Sequence, residues 1–295
     1  TAAQTGQSWD NPGRFLANAF EYIKEHKSSD LASMTEIIVY VKQGTINNTN
    51  SKATGRVRLS SIDIPAGVKV YGGYAADLTG TDVSKRNPIQ YPSIITGEVT
   101  EGEYDYNVAH LITINNSNVT LDGFKITLAN AYSTKLTSES TDGAAITIKN
   151  AIDVNIKNII VSNCQADHGA AVYADKATVT FENCIFHNNT VRTLANSGLI
   201  HGINGSNLTF DHCNVLRSVG HASYLSADTK NKWTNSMFYG NLDRAQDNTN
   251  NCAQYAIIAF AGPGANNTNL TGGNNMFDTK TKGQFTIAGN ITGAD

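Results

Sequence analysis

The feature that most constrains how this chain can fold is an internal repeat of short β-type segments. Five eight-residue segments align so that apolar and polar positions match: 119–126, 154–161, 179–186, 208–215 and, more weakly, 231–238. Their third positions hold Leu121, Ile156, Phe181, Phe210 and Trp233, at intervals of 35, 25, 29 and 23 residues. A period of this size with only short strands inside it indicates a unit that stacks on its own predecessor.

The sequence between the repeats argues against the commoner β and α/β architectures. Two-residue hairpin turns of the Asn-Gly type do not join the predicted strands, which argues against a meander. Helix-length apolar stripes do not separate them, which argues against βαβ units. If each strand instead pairs with the equivalent strand of the next repeat, about 4.8 Å away, equivalent residues of successive repeats lie side by side. The sequence therefore predicts an all-β parallel β-helix.

Two columns of the alignment predict how such a coil is built. A polar turn ladder is expected at Gly123, Asn158, Asn183, His212 and Asn235, and an inward stack at Phe124, Ile159, Cys184, Cys213 and Ser236. Cys184 and Cys213 are expected to be reduced, because vertical stacking rarely gives a disulfide its required dihedral. A second strand, often headed by glycine, precedes each unit at 143–146, 169–172 and 198–201. Loops at 130–142 and 188–197 account for the variable period.

The N-terminal part differs from the rest and predicts a helix. Asn11-Pro12 is a suitable helix start, and one face then carries Phe15, Leu16, Ala19, Phe20 and Ile23. Short strands are expected after residue 29, for example at 37–41, 57–62, 68–71 and 94–95. The predicted organisation is a helical segment at 1–36 and one continuous β-helix at 37–295.

Several motifs in the first third of the chain resemble a known family. They are Gln7-Ser8-Trp9 before the helix, the segments 38–45 and 64–74, Arg86, and Ile-Ile-Thr-Gly at 94–97. With the repeats, they resemble the right-handed parallel β-helices of the pectin-lyase-like superfamily, and more narrowly the secreted or surface β-helix proteins of Bacteroides-type bacteria. The repeats are also similar, in degenerate form, to chlamydial polymorphic membrane proteins.

This resemblance implies more about form and location than about activity. It implies a single-stranded right-handed solenoid whose N-terminal end is capped by the helix. It also implies a protein that is secreted or held on the outer surface of a Gram-negative bacterium. The shared motifs specify coil and cap, and they do not specify a reaction.

Composition excludes several classes of partner. Only 16% of residues are charged, against roughly 25% in ordinary soluble domains, and the formal net charge is -3. A nucleic-acid-binding protein would need a basic face, so no nucleic-acid partner is expected. No apolar run approaches the ~20 residues of a transmembrane helix. No C-x-x-C pair is present, which argues against a structural zinc site. No metal and no cofactor are expected.

Two carboxylates form the first candidate site. Glu182 and Asp211 occupy outward positions one strand apart, where they could perturb each other's pKa. They could act as an acid/base pair or a cation site. We favour a charged surface ladder in which Lys157 partly neutralises Glu182. The polygalacturonase pattern is represented only by the fragment Asp167-His168-Gly169, so no catalytic residue is predicted.

Histidines and tyrosines near the glycine-headed strands form the second candidate site. His168, His201 and His221 could converge as ligands, but alternation predicts that His201 points inward beside Leu199 and Ile203, as a core or turn histidine. Tyr173 and Tyr224 are predicted to be exposed on the outer face. There they would suit stacking against sugar rings, or be ordinary cross-strand residues.

The candidate binding residues are accordingly Tyr173, Tyr224, His168, Glu182 and Asp211. The predicted function is a non-catalytic module that binds carbohydrate or mediates adhesion, with a polysaccharide or cell-surface glycan as its partner. A polysaccharide lyase or glycoside hydrolase with an unrecognised active site is the alternative. A purely structural spacer is a third reading, and the oligomeric state stays open.

Overall fold

The computed structural model of the chain is nearly all-β. It describes residues 8–10, 16–47, 59–80, 82–132, 140–193, 197–226, 228–241, 258–261, 270–278 and 291–294. Within these ranges lie one α-helix, α1 (Leu16–His26), a short 3₁₀ turn at Tyr104–Tyr106, and strands β1 to β26.

The strands are short and follow one another closely along the chain. In order they are β1 Ile37–Lys42, β2 Gly44–Asn47, β3 Ile62–Asp63, β4 Val68–Tyr74, β5 Ser93–Thr96, β6 Ile112–Ile114, β7 Val119–Asp122, β8 Phe124–Thr127, β9 Ile146–Lys149, β10 Val154–Lys157, β11 Ile160–Ser162, β12 Gln165–Ala166, β13 Val172–Asp175, β14 Thr178–Glu182, β15 Ile185–His187, β16 Thr190–Val191, β17 Gly198–Ile203, β18 Asn207–Asp211, β19 Asn214–Leu216, β20 His221–Ser226, β21 Lys230–Thr234, β22 Met237–Tyr239, β23 Ile258–Ala261, β24 Leu270–Gly273, β25 Met276–Asp278 and β26 Ile291–Ala294.

Three parallel sheets are built by stacking equivalent strands. Sheet 1 has the order β1-β4-β7-β10-β14-β18-β21-β24, sheet 2 the order β2-β5-β8-β11-β15-β19-β22-β25-β26, and sheet 3 the order β3-β6-β9-β13-β17-β20-β23. The chain passes from sheet 1 to sheet 2 to sheet 3 and then begins the next coil. This arrangement is consistent with the predicted parallel β-helix.

The turn between sheets 1 and 2 is set by left-handed backbone at one position of each repeat. At the predicted turn ladder φ is 83° for Gly123, 51° for Asn158, 54° for Asn183, 52° for His212 and 52° for Asn235. Glycine and asparagine adopt this conformation more readily than other residues do. The Asn158 side chain also donates to Asp122 Oδ1 at 2.8 Å, one coil back. The predicted turn ladder is confirmed.

Alternation along each strand sends every second side chain into a continuous core. In sheet 1 the rings of Phe181, Phe210 and Trp233 lie in register on consecutive coils. Their centroids are 4.6 Å and 3.8 Å apart, and the rings are nearly parallel. In the last three repeats the third position of the sequence is therefore an aromatic stack inside the coil, and in the first two it holds Leu121 and Ile156.

The predicted inward stack is also confirmed. Phe124, Ile159, Cys184, Cys213 and Ser236 are all buried. Cys184 and Cys213 are free thiols, as expected, and so is Cys164, while Cys252 lies outside the described residues. Burial raises the pKa of Cys184 well above its ordinary value and that of Cys164 to about 12. The thiols of Cys164 and Cys184 are therefore protonated and unreactive.

One predicted loop is partly wrong. Within 188–197, β16 pairs in parallel with β12 of the preceding coil. Beside it the buried Asn189 side chain accepts from the Cys164 N–H at 3.0 Å and donates to the Val161 carbonyl at 3.0 Å. These bonds satisfy backbone groups that the bend after sheet 2 would leave unpaired. Residues 133–139 and 194–196 of the two predicted loops lie outside the described residues.

The strand predicted at 57–62 is also shorter than expected. Residues 51–58 lie outside the described part, and the strand there is only β3. Helix α1 places Leu16, Phe20 and Ile23 in the same core cluster as the sheets, and Lys24 pairs with Asp63 of β3 at 2.5 Å. Asn11, Pro12 and Phe15 of the predicted helix lie outside the described residues.

Removing one ring from the core stack should destabilise the coil strongly. We expect Phe210→Ala to cost about 3–5 kcal/mol of unfolding free energy, because both ring neighbours then face a cavity. The measurement is the urea midpoint followed by circular dichroism. The outward neighbour Thr209→Ala is the control and should change stability by less than about 0.5 kcal/mol. Equal midpoints for the two variants would contradict the stack's importance.

Candidate functional site

The outer face of sheet 3 carries a column of three stacked rings. Register places Tyr173 of β13 beside His201 of β17, and His201 beside Tyr224 of β20. The Tyr173 and His201 centroids are 5.5 Å apart at 5°, and those of His201 and Tyr224 are 4.5 Å apart at 6°. The neighbouring residues Val172 and Ile200 belong to the core cluster, whereas these rings do not. We call this column the ring ladder.

The prediction that His201 points inward is wrong. Aligning the glycine-headed segments by their first residue pairs Gly169 with Gly198. The structure instead pairs Val172 with Ile200, so β17 is shifted by one residue relative to that alignment. Because side chains alternate between faces, a one-residue shift moves His201 to the opposite face.

The two tyrosines face away from the core as predicted, but they are not exposed. Tyr173 is 9% and Tyr224 is 7% accessible. His201 covers one face of each ring, and Lys149 Nζ lies 5.6 Å from the centroid of Tyr173. Stacking of a sugar on these ring faces is therefore disfavoured, because the faces already contact protein.

The hydroxyl edges of the two tyrosines remain available for hydrogen bonding. Within the described residues neither phenol hydroxyl is hydrogen-bonded, and neither oxygen is among the enclosed unpaired polar atoms. Burial raises the pKa of Tyr173 to about 12 and also raises the pKa of Tyr224. Both groups therefore stay neutral at ordinary pH, where each can donate and accept a hydrogen bond.

An Asp–His pair lies at the start of the same strands. Asp142 and His168 are paired across adjacent coils, and His168 Nδ1 lies 2.6 Å from Asp142 Oδ1. The hydrogen bond to Asp142 raises the pKa of His168, although burial opposes it. For Asp142 burial acts to raise the pKa, but the hydrogen bond and charge of His168 prevail and lower it. The pair therefore favours imidazolium beside carboxylate.

His201 lies against this pair and has the opposite protonation preference. Its ring centroid is 4.9 Å from that of His168. Burial, reinforced by the charge of His168, lowers the pKa of His201 to about 3. Its Nδ1 is enclosed without a hydrogen-bond partner among the described residues. The site therefore holds one histidine inclined to carry a proton and one that stays neutral.

Asp142 was missed by sequence reasoning, although a signal for it exists. Asp142-Gly143 and His168-Gly169 occupy the same place in consecutive repeats, directly before a glycine-headed segment. In a stacked coil, equivalent positions become neighbours, so this match could have paired the two side chains.

The third predicted histidine does not join the group. The His221 Nδ1 atom lies 3.1 Å from the Ser197 carbonyl oxygen. Across the described ranges, no group of three or more histidine, cysteine, aspartate or glutamate side chains is arranged to hold a metal ion.

Glu182 and Asp211 lie on sheet 1 and therefore form no part of the sheet 3 group. They are in register on adjacent strands, as predicted. Glu182 Oε2 pairs with Lys157 Nζ at 2.7 Å, which confirms the predicted neutralisation. Asp211 accepts from Thr234, Asn235 and His212, and these bonds lower its pKa, with the Thr234 bond the largest cause. Both carboxylates are held by their neighbours, which favours the surface-ladder interpretation.

Comparisons with known proteins neither add to nor alter this description. No profile of a known protein family matches the sequence, and no curated protein matches it significantly. The likeness to the pectin-lyase-like superfamily therefore stays a prediction. In the part of the chain that the structure describes, no helix is long and apolar enough to cross a membrane.

The buried His201 makes stability depend on pH. In the folded state the His201 side chain binds a proton only near pH 3, whereas an ordinary histidine side chain binds one near pH 6.5. The unfolded chain thus holds more protons between these values, so acidification favours unfolding. We expect His201→Phe, which keeps a ring between the tyrosines, to remove a loss on the order of 1 kcal/mol per pH unit over that range. Urea midpoints measured from pH 7 to pH 4 test this, and parallel profiles for the two proteins would contradict it.

Proposed function

We propose that this chain is a non-catalytic carbohydrate-binding module, and that it belongs to a secreted or surface-exposed protein of a Gram-negative bacterium. The observation that carries the binding proposal is the polar edge of the ring ladder, where two neutral phenol hydroxyls lie on either side of His201. The proposed location is supported by the family resemblance alone.

The proposed fold is a right-handed solenoid with α1 as its N-terminal cap. Parallel strands joined by crossovers within one sheet are right-handed in roughly 98% of cases, which supports the handedness. The cap is supported by the packing of Leu16, Phe20 and Ile23 into the main core and by the pairing of Lys24 with Asp63 of β3. Covering the first coil in this way would keep its apolar interior from water.

Sugar hydroxyls need partners that both donate and accept, and the ladder supplies them. Tyr173 and Tyr224 are two strands apart, a separation of about 9.6 Å at ordinary strand spacing. One extended ligand can therefore contact both hydroxyls, with the partly exposed His168 and Asp142 beside them. Because the His201 ring covers a face of each tyrosine ring, recognition of a sugar would use hydrogen bonds at the hydroxyl edges of the tyrosines.

A second candidate function is acid/base catalysis, which is supported by the Asp142–His168 pair and by His201 beside it. Two neighbouring titratable groups whose pKa values are pushed apart are a recurrent basis of acid/base catalysis. Here the pKa of His168 is raised and that of His201 is lowered to about 3. A lyase or hydrolase acting on a polysaccharide would use His168 as the proton donor in this arrangement.

The binding proposal predicts a specific effect of removing two oxygen atoms. We expect the double variant Tyr173→Phe/Tyr224→Phe to bind its glycan about tenfold more weakly, since two hydrogen bonds of about 0.5–1.5 kcal/mol each are lost. A glycan array identifies the ligand, and isothermal titration then measures the affinity. Tyr239→Phe, on sheet 2, is the matched control and should bind as the unmodified chain does. Unchanged affinity in the double variant would place recognition elsewhere.

The non-catalytic proposal predicts no depolymerisation. The chain is incubated with acidic and neutral polysaccharides, with and without calcium, while ultraviolet absorbance and reducing ends are followed together. We expect no signal in either. New unsaturated ends would indicate a lyase and new saturated ends a hydrolase. If such activity also disappeared in Asp142→Asn, the second candidate function would replace the first.

A further inference from the structure

A second polar depression lies on the outer face of sheet 1, on a different sheet from the ring ladder. It has a volume of about 430 Å³ and is formed by β4, β7, β10 and the residues that precede β7 and β10. Tyr71, Thr120, Asn155 and Lys157 are among its lining residues. We call it the sheet 1 groove.

The charges of the groove are balanced. Two lysines and two aspartates line it, namely Lys69, Lys157, Asp122 and Asp153. Their formal charges cancel, and the ion-pair partners Glu36, Glu182 and Arg86 add one net negative charge, so the site has no net attraction for an anionic ligand.

Three of these charges are also paired with charged side chains that do not line the groove. Lys69 pairs with Glu36, and Lys157 Nζ lies 2.7 Å from Glu182 Oε2. Asp122 Oδ1 accepts from Arg86 at 2.6 Å. A strongly charged ligand would have to compete with these ion pairs, and it would leave one partner of each pair unmatched. A neutral ligand rich in hydroxyl groups can bond to the same side chains without separating them.

An uncharged row of side chains gives the groove a direction. Register aligns Thr120, Asn155, Thr180 and Thr209 on four consecutive strands of sheet 1. All four are partly or fully exposed, and they recur about every 4.8 Å along the stacking axis. The first two lie in the groove and the others continue the row beyond it. A linear chain of hydroxyl groups laid along this axis would meet a hydrogen-bonding side chain at each coil.

We infer that the sheet 1 groove binds a neutral, hydroxyl-rich saccharide chain that runs along the stacking axis, at a site separate from the ring ladder. The inference shares its ligand class with the proposed function and rests on that function only in this respect. Its residues, sheet and charge argument are independent of Tyr173, Tyr224 and His168.

The test is a double variant that removes polar groups from the floor of the groove. Thr120→Val keeps the side chain's shape, and Asn155→Ala shortens an outward residue, so the core is untouched. Thr271→Val, an exposed residue on β24 of the same sheet, is the matched control. The probes are neutral glucan, xylan, mannan and galactan oligosaccharides, with polygalacturonate as the anionic comparison. Binding is measured in low salt and in about 1 M NaCl, where charge interactions are screened beyond about 3 Å.

We expect a neutral oligosaccharide to bind with an affinity that salt leaves unchanged. Binding should weaken about tenfold in Thr120→Val/Asn155→Ala and stay unchanged in Thr271→Val. Three results would overturn the inference: unchanged affinity in the double variant, a salt-sensitive preference for polygalacturonate, or no binding of any neutral probe.

The ring-ladder variant separates this inference from the proposed function. A loss of binding only in Tyr173→Phe/Tyr224→Phe would overturn the groove and support the ladder. A loss only in the groove variant would support the groove and overturn the ladder as the binding site. Loss in both variants would support two sites on one ligand-binding protein.

Discussion

The backbone pairing of each strand with its equivalent in the next coil determines the rest of this structure. Strand pairing is parallel throughout the described parts of sheets 1 to 3, so a residue's neighbours are set by which residue of the adjacent coil shares its register. Repetition of the sequence then becomes repetition in space. The Phe181–Phe210–Trp233 stack and the left-handed turn ladder both follow from that single rule.

Stacking also explains why the polar side chains of the interior are tolerated. Asn189 bonds to the backbone of the preceding coil, and Ser236 accepts from the Cys213 N–H at 3.0 Å. At each bend the strand ladder is interrupted, so a buried N–H or carbonyl needs another partner. Short polar side chains that repeat at the bend supply that partner coil after coil. The interior is thus apolar along the strands and hydrogen-bonded at the corners.

The same register assembles the two candidate ligand sites, and it gives them different chemistry. On sheet 3 it places His201 between two tyrosines and near the Asp142–His168 pair, so burial and ionic pairing push two histidine pKa values apart. On sheet 1 it interleaves acidic, basic and uncharged side chains, so that Lys157 pairs with Glu182 on the next coil. One face therefore favours directional hydrogen bonds around titratable groups. The other carries a row of uncharged hydrogen-bonding side chains beside paired charges.

The repeat by itself determined a good part of this protein. It placed the apolar third position in the core, the asparagine-rich position at the turn, and Cys184 beside Cys213, because equivalent residues of a stacked coil must become neighbours. It also placed Lys157, Glu182 and Asp211 on one outward column. Each of these conclusions depends only on which residues are equivalent, and the repeat states that directly.

The tertiary structure alone decided what depends on register within a strand and on contacts between different parts of a coil. A shift of one residue in β17 moved His201 from a predicted core position into the ring ladder, and no local pattern distinguishes the two registers. The burial of Tyr173 and Tyr224 depends on neighbouring side chains such as His201, and the sequence does not show their packing. The groove on sheet 1 likewise requires coils to be superimposed in space, because its residues are far apart along the chain.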